Sequence, residues 1–201
     1  MKLLFQRSKL LTASAILTAS LVVFCWAALQ ATLAAPGGFD TVIRAWVQDH
    51  EWKPLSTFLW VVTQTGSPEF ITCLALFAAW REHKAGHRAG VVVIAVTVIG
   101  ALILDNTLKH VFHRARPAPF FGMAMPASFS YPSGHSLWSA SFYGLLASGR
   151  LRFPLLFFIA LIGFSRIYLG VHYPTDVAGG LAVGAAWLAA VMLVFNGRRS
   201  A

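Results

Sequence analysis

The stretch AGVVVIAVTVIGALIL, residues 89–104, carries no charge and runs straight into Asp105, Asn106 and Lys109. Read as a helix with its polar end included, it is long enough to cross a hydrocarbon core of about 30 Å, for which about 20 residues are needed. The composition says which solvent that helix meets. The chain is 57% apolar or aromatic and 11% charged, whereas soluble domains carry about 25% charged residues. Long uncharged stretches alternate with short segments that hold nearly all the Lys and Arg, which is the pattern of a multi-spanning membrane protein. The 201 residues allow about six such helices.

The net charge of +9 does not make the chain a nucleic-acid binder, because its basic residues sit at the ends of apolar segments and form no sustained face. Cys25 and Cys73 lie inside apolar segments, where cysteine acts as a small hydrophobe, and they say nothing about redox compartment.

Upstream, residues from Leu10 to Ala34 are uncharged and follow Lys2, Arg7 and Lys9. A secretory signal has an apolar core of only about 7 to 15 residues. Residues 1–35 are therefore expected to be a retained, signal-anchor-like first span, although Ala34 and Ala35 leave room for cleavage. Residues 36–65 read as an outer loop and interfacial helix: Pro36, Gly37 and Gly38 mark a turn, and Trp46 and Trp52 suit the membrane surface. A weaker apolar stretch, Leu55 to Val62, ends at Gly66. Ser67 is placed to cap the next helix and Pro68 to occupy its first turn, with the helix running to about Trp80.

Downstream of Lys109, some 25 residues rich in Pro, His and Phe do not read as a span. Helices are expected again near Ser136–Ser148, Phe153–Phe164 and Val177–Phe195, the first two needing their polar ends to cross. The expected fold is an all-α polytopic membrane bundle of about six transmembrane helices. Its core is residues 66–196, with a cytoplasmic tail at 197–201 and the site between the third to sixth helices at the outer face. Gly180 and Gly184, with Gly179 and Ala185, offer a small face for close helix packing or reflect only the glycine content of membrane helices.

With six spans, ten basic residues fall on one side: Lys2, Arg7, Lys9, Arg81, Lys84, Arg88, Arg150, Arg152, Arg198 and Arg199. Six fall on the other: Arg44, Lys53, Lys109, Arg114, Arg116 and Arg166. The bias places both termini in the cytoplasm. Three clusters then share the outer face: Lys109 to Pro117, Pro132 to His135, and Ser165 to Asp176.

Lys109, Arg116 and Arg166 would set three cations at one edge of the bilayer, where charged residues face a polar cavity or ligand or else reach toward headgroups. Arginine offers a planar fork to phosphate oxygens and lysine a point charge. Tyr131-Pro132-Ser133-Gly134-His135 stands where a helix begins. Its free N–H groups suit an anion, Gly134 lets the backbone approach, and the Ser133 hydroxyl adds a donor; Ser133 as a plain helix cap is the other reading. His135 is placed to protonate a leaving oxygen. Pro174 interrupts any helix through the third cluster, so His172 falls on a turn and Asp176 near the start of the last span. There Asp176 either caps the helix, orients one imidazole nitrogen, or does both. Asp105, four residues before Lys109, shares its helix face and either holds the lysine or ends the helix in solvent. Phe120, Phe121, Met123, Met125 and Phe129 make the loop from Ala118 to Phe129 apolar, as a path for a lipid tail or as an interfacial anchor.

The order Lys, six residues, Arg-Pro; then Pro-Ser-Gly-His; then Ser-Arg, five residues, His, three residues, Asp resembles the type 2 phosphatidic acid phosphatase superfamily, which also includes vanadium haloperoxidases. The resemblance covers roughly residues 66–196 and is complete at the defining positions. It implies a membrane lipid phosphatase in which His172 attacks phosphorus to form a phosphohistidine and Asp176 orients it. Lys109, Arg116, Ser133, the Gly134 N–H and Arg166 would bind the phosphate, and His135 would protonate the leaving group. No metal and no cofactor is expected, vanadate is expected to inhibit, and the expected partners are a membrane lipid phosphate and the bilayer. Oligomeric state is open. The location expected is the bacterial inner membrane. Undecaprenyl diphosphate, phosphatidate, phosphatidylglycerophosphate and a lipid A phosphate all fit. Two other classes compete: an anion or phospholipid transporter using the three cations, and a metal-dependent hydrolase using His110 and His113 or His172 and Asp176.

Overall fold

The computed structural model describes residues 2–33, 35–50, 52–122, 124 and 126–197, with side chains described between 10 and 195. The candidate cleavage residue Ala34, the loop residues Met123 and Met125, and Arg198 and Arg199 lie outside the described residues, as do the side chains of Lys2, Arg7 and Lys9. The described chain is helical, with helices α1 Lys2–Ala31, α2 Gly38–Asp49, α3 Lys53–Gln64, α4 Pro68–Lys84, α5 Arg88–Phe112, α6 Gly134–Leu146, α7 Arg152–Tyr168 and α8 Pro174–Gly197. Among the described residues four segments are long and apolar enough to cross a bilayer: Leu10–Ala31, Arg88–Phe112, Gly149–Tyr168 and Pro174–Phe195. α4 has 17 residues and α6 has 13.

Local sequence explains the boundaries. The Ser67 hydroxyl accepts the Phe70 N–H at 3.1 Å and Pro68 opens α4, while Arg81, His83 and Lys84 in its last turn suit the negative end of the helix dipole. α5 continues two turns beyond Leu104 because its inward stripe does: Ile94, Thr97, Ala101 and Asp105 are buried at helical spacing. Asp105 and Lys109 therefore belong to the helix rather than to a loop after it. α8 begins at Pro174, whose missing N–H costs nothing in a first turn. α2 buries Asp40 and Val47 while Phe39, Val42 and Trp46 are exposed.

α6 is the central helix. Nine of its residues are buried, on every side, and it packs against α4, α5, α7 and α8. Lipid tails are as apolar as the helices, so close packing rather than water exclusion must hold such a bundle together. A Cβ added at Gly180 would stand 3.0 Å from Ser136 Cβ and collide with the Ser133 carbonyl, and one at Gly184 would meet Ala140 Cβ at 2.8 Å. The small face of α8 thus brings it against the first turns of α6. α1 lies along the other side of α8, and large apolar side chains such as Leu29, Leu76, Val111 and Phe157 point outward.

Candidate active site

Between α7 and α8 the chain makes a turn, residues 169–173, with Gly170 at φ 74°. The turn is tied down from outside: Phe120 N–H donates to the Leu169 carbonyl at 3.1 Å, and Arg44 of α2 donates to the Gly170 and Ala118 carbonyls at 2.9 and 2.8 Å. It carries His172, whose ring is buried. Arg116 Nη1 stands 3.0 Å from His172 Nε2 and also donates to the Val171 carbonyl at 2.9 Å, while its other nitrogens bond Ser128. A guanidinium only donates, so Nε2 holds a lone pair and the ring proton sits on Nδ1. Asp176 Oδ2 lies 3.4 Å from Nδ1. Burial, chiefly, pushes the His172 pKa down to about 3; Asp176 opposes the shift, and Arg116 and Arg166 add to it.

Asp176 is the third residue of α8 and not its N-cap. Its Oδ2 reaches back to the Tyr173 N–H at 2.8 Å, the carboxylate half of a capping box, and also accepts from the Ser130 hydroxyl. Its Oδ1 accepts Arg114 Nη1 at 2.6 Å. Arg114 in turn bonds Thr175 Oγ1 at 2.8 Å and Asp40 Oδ2 at 2.7 Å and lies over the Tyr173 ring, 4.2 Å from its centroid. Burial works against the Arg114 charge, but Asp176 and Asp40 outweigh it and raise the pKa.

From the other side, α5 delivers Lys109. Its ammonium lies 2.9 and 3.0 Å from the two Asp105 oxygens. A Cβ on Gly134 would stand 2.9 Å from Asp105 Oδ2 and 3.1 Å from Lys109 Nζ, so the pair rests against the first residue of α6, where only glycine leaves room. Ser133 precedes that helix fully buried. Its hydroxyl accepts from Ser136 Oγ at 3.0 Å and makes no capping bond, and its N–H donates to the Asp176 carbonyl at 2.9 Å. The leading N–H groups of α6 thus have no side-chain cap, which leaves the positive end of a buried helix facing the cluster.

Arg166, near the end of α7, is buried; Nη1 donates to Thr63 Oγ1 at 2.8 Å, and Nε has no partner among the described residues. Among the described residues neither Arg116 nor Arg166 forms an ion pair, whereas Lys109 and Arg114 do. His135, half-buried at the start of α6, has the cations Arg166, Lys109 and Arg116 and the neutral His172 ring as neighbours.

The structure therefore brings together Lys109, Arg116, Ser133, Gly134, His135, Arg166, His172 and Asp176, with Asp105 on Lys109. Further residues of the cluster were not singled out from the sequence: Asp40, Thr63, Arg114, Ser128, Ser130 and Thr175. His110 and His113 do not join it, since they pack edge-on against Phe129. Among the described residues no three of His, Cys, Asp and Glu gather to hold a metal. Phe120 and Phe121 pack against the buried cluster of Val47, Leu59 and Tyr168, so they brace the turn from α2 and α3.

The chain is similar to known proteins over this region. It is 37% identical over 95 residues to phosphatidylglycerophosphatase B of Bacillus subtilis, covering 41% of this chain and 46% of that one. It is 32% identical over 164 residues to an undecaprenyl-diphosphatase of Sulfolobus acidocaldarius, covering 78% and 68%. The crystal structure of a transmembrane phosphatidylglycerolphosphate phosphatase from Bacillus subtilis superimposes with a TM-score of 0.79 at 25% identity, covering 87% of this chain and 93% of the other. The chain spans about half the length of the first curated relatives it matches. Residues 90–200, which hold every motif of the cluster, match the family described as the PAP2 superfamily, and with helical membrane relatives of the same architecture the chain belongs to that superfamily.

Proposed function

We propose that the chain is a metal-independent integral-membrane lipid phosphatase, hydrolysing a phosphomonoester or diphosphate of a membrane lipid through a phosphohistidine. The observation that carries this is the pairing of a lone pair with unneutralised charge. His172 Nε2 is an acceptor held by Arg116, and Arg116 and Arg166 lack a carboxylate partner among the described residues. A phosphate dianion supplies what both guanidiniums lack.

In this reading Arg116, Arg166, Lys109, the Ser133 hydroxyl and the Gly134 N–H bind the phosphate oxygens and stabilise charge in the transition state. His172 Nε2 attacks phosphorus as the bond to the leaving oxygen breaks. His135 gives that oxygen a proton, and Asp176 stabilises the cationic ring through Nδ1–H. His135 then takes a proton from the water that cleaves the P–N bond, returning both histidines to their starting state. Counting α4 and α6 as spans gives six, and the ten-to-six distribution of basic residues supports cytoplasmic termini with the cluster at the outer face, in this reading that of a bacterial inner membrane.

Phosphate release by purified protein in detergent and chelator, across undecaprenyl diphosphate, phosphatidate, phosphatidylglycerophosphate and lipid A, tests the proposal. Release from at least one substrate, lost in His172→Ala, is expected. Release from none, with folded protein, contradicts it.

A further inference from the structure

Asp40 lies in α2, outside the stretch matched to the superfamily, yet it is 1% exposed. Its carboxylate faces the start of α8: Oδ1 accepts the Thr175 N–H at 2.9 Å, and Oδ2 accepts Thr175 Oγ1 and Arg114 Nη2, both at 2.7 Å. Arg114 then binds Asp176 Oδ1, opposite the oxygen turned to His172. One guanidinium is thus held between two buried carboxylates, one of which touches the candidate nucleophile. One turn along α2, Arg44 grips the same turn through the Gly170 carbonyl.

A buried ion triad is poor value as a source of stability, since desolvation offsets much of the attraction and apolar replacements often do as well. What it does supply is orientation. Among the described residues four donors surround the two oxygens of Asp176, and only Arg114 engages Oδ1, so Arg114 sets the rotation of the carboxylate and keeps Oδ2 toward Nδ1. Asp40 moderates that grip. Without its negative charge Arg114 would be neutralised by Asp176 alone, and Asp176 would stabilise the cationic ring less.

We propose that Asp40, acting through Arg114, is a positioning residue for the Asp176–His172 pair, so that α2 is part of the catalytic apparatus rather than a surface cover. This rests on the reading of His172 as the nucleophile. Asp40 touches none of the groups assigned to phosphate, so its loss acts on the chemical step and not on binding.

The test uses the full chain in detergent and compares Asp40→Asn and Thr175→Val with His172→Ala. Carboxylates that orient metal-bound histidines are worth about 10- to 100-fold, and the same order is expected for a carboxylate that orients the Asp176–His172 pair. Asp40→Asn is expected to lower kcat and the single-turnover rate of phosphohistidine formation by about that factor, with KM changed by less than about twofold. Thr175→Val, which keeps the shape but deletes the hydroxyl bonded to both Asp40 and Arg114 while leaving their direct ion pair, is expected to do the same more weakly, and Asp40→Glu to restore part of kcat. If Asp40→Asn does not fold, Thr175→Val and Asp40→Glu carry the test. Wild-type kcat per folded molecule in the variants that fold, whatever their thermal stability, overturns the inference. Phosphate release by His172→Ala would instead overturn the reading on which it rests.

Discussion

Arg116 and His172 meet at 3.0 Å, Nη1 against Nε2, so the atom expected to attack phosphorus is already hydrogen-bonded to a group expected to bind phosphate. The two roles need the same space. A phosphate that reaches Nε2 must take over the Arg116 donors, exchanging a bond to a neutral ring for bonds to anionic oxygens, in which both partners are charged. Removing one such preorganised donor costs about 10²- to 10³-fold in turnover. Arg116→Ala is expected to lose activity in that range and Arg116→Lys, which keeps charge but not the fork, to recover only part of it. Initial rates of phosphate release check both; an Arg116→Ala enzyme within threefold of wild type would remove Arg116 from the site.

Asp105 should matter through Lys109. The two are paired at 2.9 and 3.0 Å with little exposure of either side chain, so Asp105→Asn leaves the ammonium free to swing from the Gly134 backbone. A drop in kcat/KM of about tenfold is expected, the order seen when an orienting outer partner is lost. Unchanged kinetics would show that Asp105 merely ends the buried stripe of α5.

Gly134→Ala tests the close approach directly. The added methyl would press on Asp105 Oδ2 and Lys109 Nζ at 2.9 and 3.1 Å, and alanine is otherwise favoured in a helix. Thermal stability should change little while kcat/KM falls at least about tenfold. Wild-type activity in this variant would mean the pair can move without consequence.

The pH dependence has a definite sign. The His172 pKa in the fold is about 3, below an unfolded value of about 6.5. The unfolded chain therefore takes the proton first. Above pH ~6.5 the ring is neutral in both states and adds no slope; as pH falls from there toward 3, stability is lost. Thermal midpoints of wild type and His172→Gln should diverge over that window, with wild type falling more steeply. Superimposable curves would mean His172 is not buried as a neutral ring.

How much of this was legible in the sequence depends on how far apart the partners lie. The three motif clusters announced themselves because charges and histidines are scarce in an apolar chain, and Ser67-Pro68 marked the start of α4. The polar end of α5 was legible as well, since Asp105 and Lys109 share a helix face at a spacing of four; only its continuation to Phe112 was not, because that depends on Asp105 extending the buried stripe of Ile94, Thr97 and Ala101. Asp40 and Arg114 were missed for a different reason. Arg114 was counted only among the outer basic residues, and Asp40 is 74 residues from it, with no spacing to link them. The one available signal was rarity: the chain has 7 acidic residues, and Asp40 stands four positions before Arg44 on the face of α2 that meets the turn and the start of α8. Thr63 and Ser130, ordinary hydroxyls, carried no signal.

The most direct measurement is rapid quenching into alkali of purified protein mixed with a ³²P-labelled lipid phosphate, followed by peptide mapping. The account predicts acid-labile label on His172, formed and lost at rates compatible with turnover and absent from His172→Ala. Turnover with no label on His172, or undiminished phosphate release by His172→Ala, would contradict it.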